Sequence, residues 1–87
     1  MHYFVYILKS ISHNKIYIGY TTNLRVRLDQ HNRGKSNFTS KYLPWRLVYY
    51  EYYSSKIDAL EREKQLKRFA KAFGQLKGRI KNSLEGN

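Results

Sequence analysis

Two β-rich runs open this chain, Tyr3 to Lys9 and Lys15 to Tyr20, with only a short polar stretch between them. Both are dense in aromatic and β-branched residues, which fit a pleated, half-buried surface. The link, Ser10 to Lys15, supplies serine, histidine and asparagine, the residues of turn chemistry. So short a connection joins antiparallel strands, because a parallel pair needs a long crossover. The chain therefore starts as a β-hairpin. Its 87 residues allow one domain with a modest core around that hairpin, and not two.

After the hairpin the period changes. Thr21-Thr22-Asn23 offers several helix N-caps. Leu24, Leu28 and His31 then recur at helical spacing, with Arg27 on the same face, and Gly34 is a natural C-cap. Lys35 to Tyr42 is polar and basic, hence a loop. Leu43-Pro44 leads into a third strand, Trp45 to Tyr53. Ser55-Lys56-Ile57-Asp58 resembles a capping box and opens a second helix through Phe69. Its apolar stripe is Leu60, Leu66, Phe69 and Phe73, with Glu63 and Lys67 beside it. A third helix is expected near Gln75 to Leu84, weakened by Gly74 and Gly78. The expected fold is α+β: a three-stranded antiparallel sheet flanked by helices, in the order β-β-α-β-α-α, filling residues 1–84 with a frayed 85–87.

Charge narrows the partners. Lysine and arginine number 17 against 6 acidic residues, a net charge of +11. That suits nucleic acid, a ribosomal surface or an anionic membrane. No run approaches the roughly 20 apolar residues that span a bilayer, and the helices carry no strong basic amphipathic face separate from a core face, so no membrane partner is expected. The apolar stretch Tyr3 to Leu8 has no basic region before it and Lys9 after it, so it reads as a strand and not a signal peptide. The chain has no cysteine, which excludes disulfides and thiolate metal sites. A cytoplasmic location is expected.

Five polar side chains stand where apolar ones would be expected. Tyr6 and Tyr17 lie in the two hairpin strands and face one surface if the hairpin pairs in its simplest register. A phenol can donate, accept or lose a proton; a strand tyrosine can equally bury its ring and keep its hydroxyl wet. Gly19 ends the second strand, where it can admit a close backbone or ligand or simply close the strand. Arg27 offers a planar fork for phosphate and His31, one helical turn on, a proton-holding ring. The alternative is that both snorkel from the edge of the stripe. Glu63 is a carboxylate three residues from both Leu60 and Leu66. It needs an answering charge, either a divalent ion beside a phosphate or Lys67 at i+4. The segment Arg33 to Tyr42 interleaves cations with aromatics, the composition that tracks a phosphate backbone and stacks bases. Arg33, Lys35 and Lys41 there, with Lys67 and Lys71 in a further cationic run that includes Arg62, are the candidate nucleic-acid contacts.

Taken in order, these residues resemble the GIY-YIG nuclease superfamily, specifically its small stand-alone members, from Tyr3 to about Phe69. Val5-Tyr6-Ile7 stands where that family has its first tripeptide and Tyr17-Ile18-Gly19 is the second. Arg27 follows Tyr17 by ten residues, the family's spacing, with His31 four further on, and Glu63 follows Ala59 by four. Pro44 to Glu51 resembles the third strand of the stand-alone group. The resemblance implies hydrolysis of a DNA phosphodiester with one divalent cation, magnesium or manganese. It implies that Glu63 holds the metal, Arg27 braces the scissile phosphate, and Tyr6 and Tyr17 position or deprotonate the attacking water. Val5 replaces a common glycine. Gln75 stands near where many members carry an asparagine. As one bare domain, the chain is expected to show low sequence specificity, to favour DNA over RNA, and to need no protein partner. The alternative is a non-catalytic nucleic-acid-binding module of the same fold, RNA- or ribosome-associated.

Overall fold

A computed structural model describes residues 1–86. Strands β1 (Tyr3–Ser10) and β2 (Ile16–Thr21) form the hairpin, followed by helix α1 (Leu24–Asn32), a 3₁₀ turn (Thr39–Lys41) and β3 (Trp45–Tyr53). Three helices close the chain: α2 (Lys56–Arg68), α3 (Ala70–Arg79) and the short α4 (Lys81–Glu85). The sheet runs β2-β1-β3 and both pairings are antiparallel. This is the expected α+β fold, with the last helical stretch divided in two. Glu85 closes α4, and Asn87 of the tail expected to fray lies outside the described residues.

Local chemistry sets the ends of α1. The Asn23 side chain accepts the Val26 N–H, an N-cap. At the other end Gly34 takes φ +76°, its N–H donates to the His31 carbonyl, and the Lys35 N–H donates to Gln30. This paired arrangement needs a left-handed residue after the helix, which glycine adopts without a Cβ penalty. Ser55 does occupy the N-cap of α2, but its side chain makes no capping bond, so the capping box does not form.

The sheet has two covered faces. Val5 and Ile7 pack with Ala59, Leu66, Leu76 and Ile80 of the C-terminal helices. Tyr6, Leu8 and Trp45 point the other way and pack with Leu24 and Leu28 of α1. Strand alternation thus delivers Tyr6 into the layer under α1. A β-bulge keeps β3 in step with that layer: Ile7 pairs with Tyr49 but Leu8 pairs with Leu47, leaving Val48 extra. Trp45 and Leu47 therefore share the face of Tyr50 and Tyr52, which regular alternation would not allow.

Helix α2 is rotated from the expected stripe. Its buried residues are Ala59 and Leu66, seven apart, whereas Leu60 is 40% and Phe69 57% exposed. Small Ala59 lets the helix approach the sheet, and Arg62 and Glu63 fall on the same inward line. Phe69 adopts extended backbone and ends α2, so Phe73 belongs to α3. Among the described residues no helix is long and apolar enough to cross a membrane.

Candidate active site

The hairpin register places the two phenols. Tyr6 pairs with Gly19 and Leu8 with Tyr17, so Tyr6 and Tyr17 are diagonal neighbours on one face. Their ring centroids are 6.2 Å apart. Gly19 leaves room for this. A Cβ at that position would fall on the ring carbons and hydroxyl of Tyr6. Tyr6 is buried and Tyr17 half-buried.

His31 joins them from α1. It is fully buried and lies 4.7 Å from the Tyr17 ring, centroid to centroid. The Tyr6 hydroxyl is 2.9 Å from His31 Nε2, and His31 Nδ1 is 2.8 Å from Thr39 Oγ1. Thr39 donates to the Ser36 carbonyl, leaving its oxygen to accept from Nδ1–H. On that assignment Nε2 accepts a hydrogen bond from the Tyr6 hydroxyl. Burial, aided by the charge of Arg27, lowers the His31 pKa to about 4, so the ring is neutral near pH 7. The alternative of an edge position does not hold for His31, which lies in the interior.

Arg27 sits one turn before His31, half-buried beside both phenols. Burial works against its charge, but the Tyr6 and Tyr17 hydroxyls outweigh that and raise its pKa. Its directed hydrogen bond runs from Nη1 to Gln30 Oε1 at 3.1 Å, and the phenols act on it by proximity. Burial pushes the Tyr6 phenol up to about 12, against the pull of Arg27, so Tyr6 keeps its proton. Glu63 is near enough to add to that upward push.

Glu63 projects from the inward line of α2, its side chain 20% exposed, and pairs with Lys67 at 3.2 Å. The ion pair across one helical turn is therefore formed. Among the described residues no three His, Asp or Glu side chains gather into a metal cluster. A single carboxylate is nevertheless a suitable donor for magnesium or manganese, which keep several waters and take further oxygens from a phosphate.

The basic candidates divide. Lys35, Lys41 and Lys71 are exposed and make no ion pair among the described residues. Arg33 pairs with Asp29 at 2.8 Å on the surface, and Lys67 is held by Glu63. Arg62 leaves the cationic run: its guanidinium grips Glu51, with Nε 2.9 Å from Oε1 and Nη2 3.0 Å from Oε2. Tyr49 and Tyr53 donate to the same carboxylate. Burial opposes the Glu51 charge, but these donors prevail and its pKa falls. This cluster braces β3 against α2 on the far side of the sheet.

Several supports of the site carry no sequence pattern. Thr39, read as part of a polar, basic loop, is fully buried against His31. Trp45 Nε1 donates to the Thr39 carbonyl at 2.8 Å. The Asn32 amide clamps the Trp45 backbone, donating to its carbonyl at 3.0 Å and accepting its N–H at 2.7 Å. Phe38 stacks on Tyr17 with ring planes 28° apart.

Known proteins match this chain over most of its length. The family model described as the GIY-YIG catalytic domain matches residues 2–80. A UPF0213 protein of Staphylococcus haemolyticus is 43% identical over 70 residues, covering 79% of this chain and 84% of the relative. A UPF0213 protein of Staphylococcus aureus is 39% identical over the same coverage. The solution NMR structure of a UPF0213 protein from Bacillus halodurans superimposes with a TM-score of 0.55 at 33% identity, covering 87% of this chain and 82% of that one.

Proposed function

The chain belongs to the GIY-YIG catalytic domain family, a nuclease family, and on that premise we propose that it is a divalent-metal-dependent endonuclease that hydrolyses DNA phosphodiester bonds with low sequence specificity. The observation that carries this reading is the convergence of Tyr6, Tyr17 and Arg27 on one sheet face, backed by a neutral, buried His31.

Each group has a role that its surroundings support. Arg27, a permanent cation seated beside the phenols, braces the non-bridging oxygens of the scissile phosphate and stabilises the charge that grows in the transition state. Tyr6 is a positioning residue. Its hydroxyl donates a hydrogen bond to His31 and keeps its proton, which leaves its oxygen lone pairs to face Arg27 and Tyr17. Tyr17, the more exposed phenol, orients the attacking water. Glu63 would hold the metal, which when bound neutralises charge at the phosphate and leaving oxygen. Lys35, Lys41 and Lys71 would track the flanking backbone.

One observation favours a second reading, a non-catalytic nucleic-acid-binding module. Glu63 is already answered by Lys67. A nicking assay on supercoiled plasmid separates the two. The nuclease converts it to open circles with magnesium or manganese and not with a chelator. The binding module retards the plasmid in a salt-dependent way and leaves it closed.

A further inference from the structure

We propose that an apolar groove beside Tyr17 holds one unpaired nucleobase of the strand being cut, stacked against Phe38 and Phe73. The inference rests on the nuclease reading and names the substrate class of that site: a strand with an unpaired nucleotide next to the scissile phosphate.

The groove has a volume of about 380 Å³ and is walled by Tyr17, Phe38, Phe73 and Lys67 over Ile18 and Leu66. It lies along β2, an edge strand of the sheet. Tyr17 belongs to both the groove and the cluster of phenols, so an occupant of one abuts an occupant of the other. Phe38 is 44% exposed, an apolar ring held open to solvent on a small domain. Its volume is near the lower end of ligand pockets, roughly 300 to 1,000 Å³.

Ring chemistry and charge select the occupant. Aromatic side chains stack on any base, because every base has a π-face, and they do so without reading sequence. Cations stand at the same place. Lys67 lines the groove, and Lys77 Nζ sits 4.9 Å from the centre of the Phe73 ring. They suit the phosphates on either side of a stacked base, in a chain of net charge +11. A base inside a duplex has both faces covered, so it must be unstacked before it can enter. A peptide strand adding to the β2 edge is the competing occupant, but neither the cations nor the abutting phosphate site favours it.

The test uses the whole protein in chelator, so that no catalysis is required. A single-stranded oligonucleotide carrying one 2-aminopurine is titrated, with anisotropy followed alongside emission. Binding is expected to change the 2-aminopurine emission and to favour the single strand over its duplex. Phe38→Leu, at an exposed ring whose loss leaves the core intact, and Phe73→Leu, which keeps apolar bulk, should abolish the emission change. They should also cut single-strand affinity roughly tenfold, the scale of one lost base–aromatic stack. Unaltered emission and affinity in both variants overturn the proposal and leave the groove to a peptide. So does a failure of the wild type to bind the oligonucleotide. Intact emission changes in a protein that never nicks DNA with magnesium overturn the nuclease reading alone.

Discussion

Tyr6 lies directly across the hairpin from Gly19, and its ring occupies the space where any other residue would carry a Cβ. The second tripeptide's glycine and the first tripeptide's tyrosine are thus one steric unit. Gly19→Ala is predicted to displace the Tyr6 ring and break its bond to His31. The cost should be about 1–3 kcal/mol of stability, the scale of overpacking a filled interior. Urea unfolding measures it. An alanine accepted at no cost would show that the ring has room to move.

The two phenols should separate by phenotype. Tyr6→Phe leaves buried His31 Nε2 without a partner and should lose about 1–3 kcal/mol of stability. Tyr17→Phe removes a half-exposed hydroxyl and should leave stability within about 0.5 kcal/mol while lowering cleavage. Parallel denaturation and plasmid-nicking measurements on the pair check this. Reversed phenotypes would exchange the supporting and water-facing roles.

Acid should weaken the fold through His31. An unfolded histidine titrates near 6.5, whereas in the native protein burial holds His31 down at about 4. Between those values the unfolded chain binds the extra proton and the native one does not. Stability therefore rises with pH across this window and is lost as pH falls from about 6.5 toward 4. The ceiling is roughly 3 kcal/mol. Glu51, whose pKa is lowered, loses its contribution only as pH falls below the ordinary carboxylate range. Denaturant unfolding at stepped pH should show a slope that His31→Asn flattens. An equal slope in the variant contradicts the assignment.

Much of this arrangement is legible in the sequence because it depends on short-range geometry. The hairpin follows from its turn, and the hairpin register brings Tyr6 and Tyr17 to one face. Arg27 and His31 follow from helical spacing, and Gly34 from the left-handed position after α1. What is hidden depends on contacts distant in sequence. The bulge at Val48, which returns Trp45 to the face of Tyr6, has no local signature. Thr39 is buried only because Trp45 and His31 meet it from β3 and α1. The rotation of α2 is concealed because Leu60 outranks Ala59 in hydrophobicity, yet close approach to the sheet needs the smaller residue. Arg62 reads as surface charge until β3 presents Glu51 to it.

Lys67 should compete with the metal. Its ammonium holds the Glu63 carboxylate at 3.2 Å, so a cation binding there must displace it. Lys67→Met is predicted to tighten manganese binding, read by the loss of free-ion electron paramagnetic resonance signal. Stability should change by less than about 0.5 kcal/mol, because a partly exposed i, i+4 pair contributes little. Weaker manganese binding in the variant would mean that Lys67 assists the site instead.

The most direct measurement is magnesium-dependent nicking of supercoiled plasmid by Glu63→Ala beside the wild type, with unfolding curves for both. Stability should stay within about 1 kcal/mol, since among the described residues the only ion pair lost is the one to Lys67. Nicking should fall at least roughly a hundredfold, as loss of several kcal/mol of transition-state stabilisation requires. A folded Glu63→Ala protein that nicks at the wild-type rate would contradict the account.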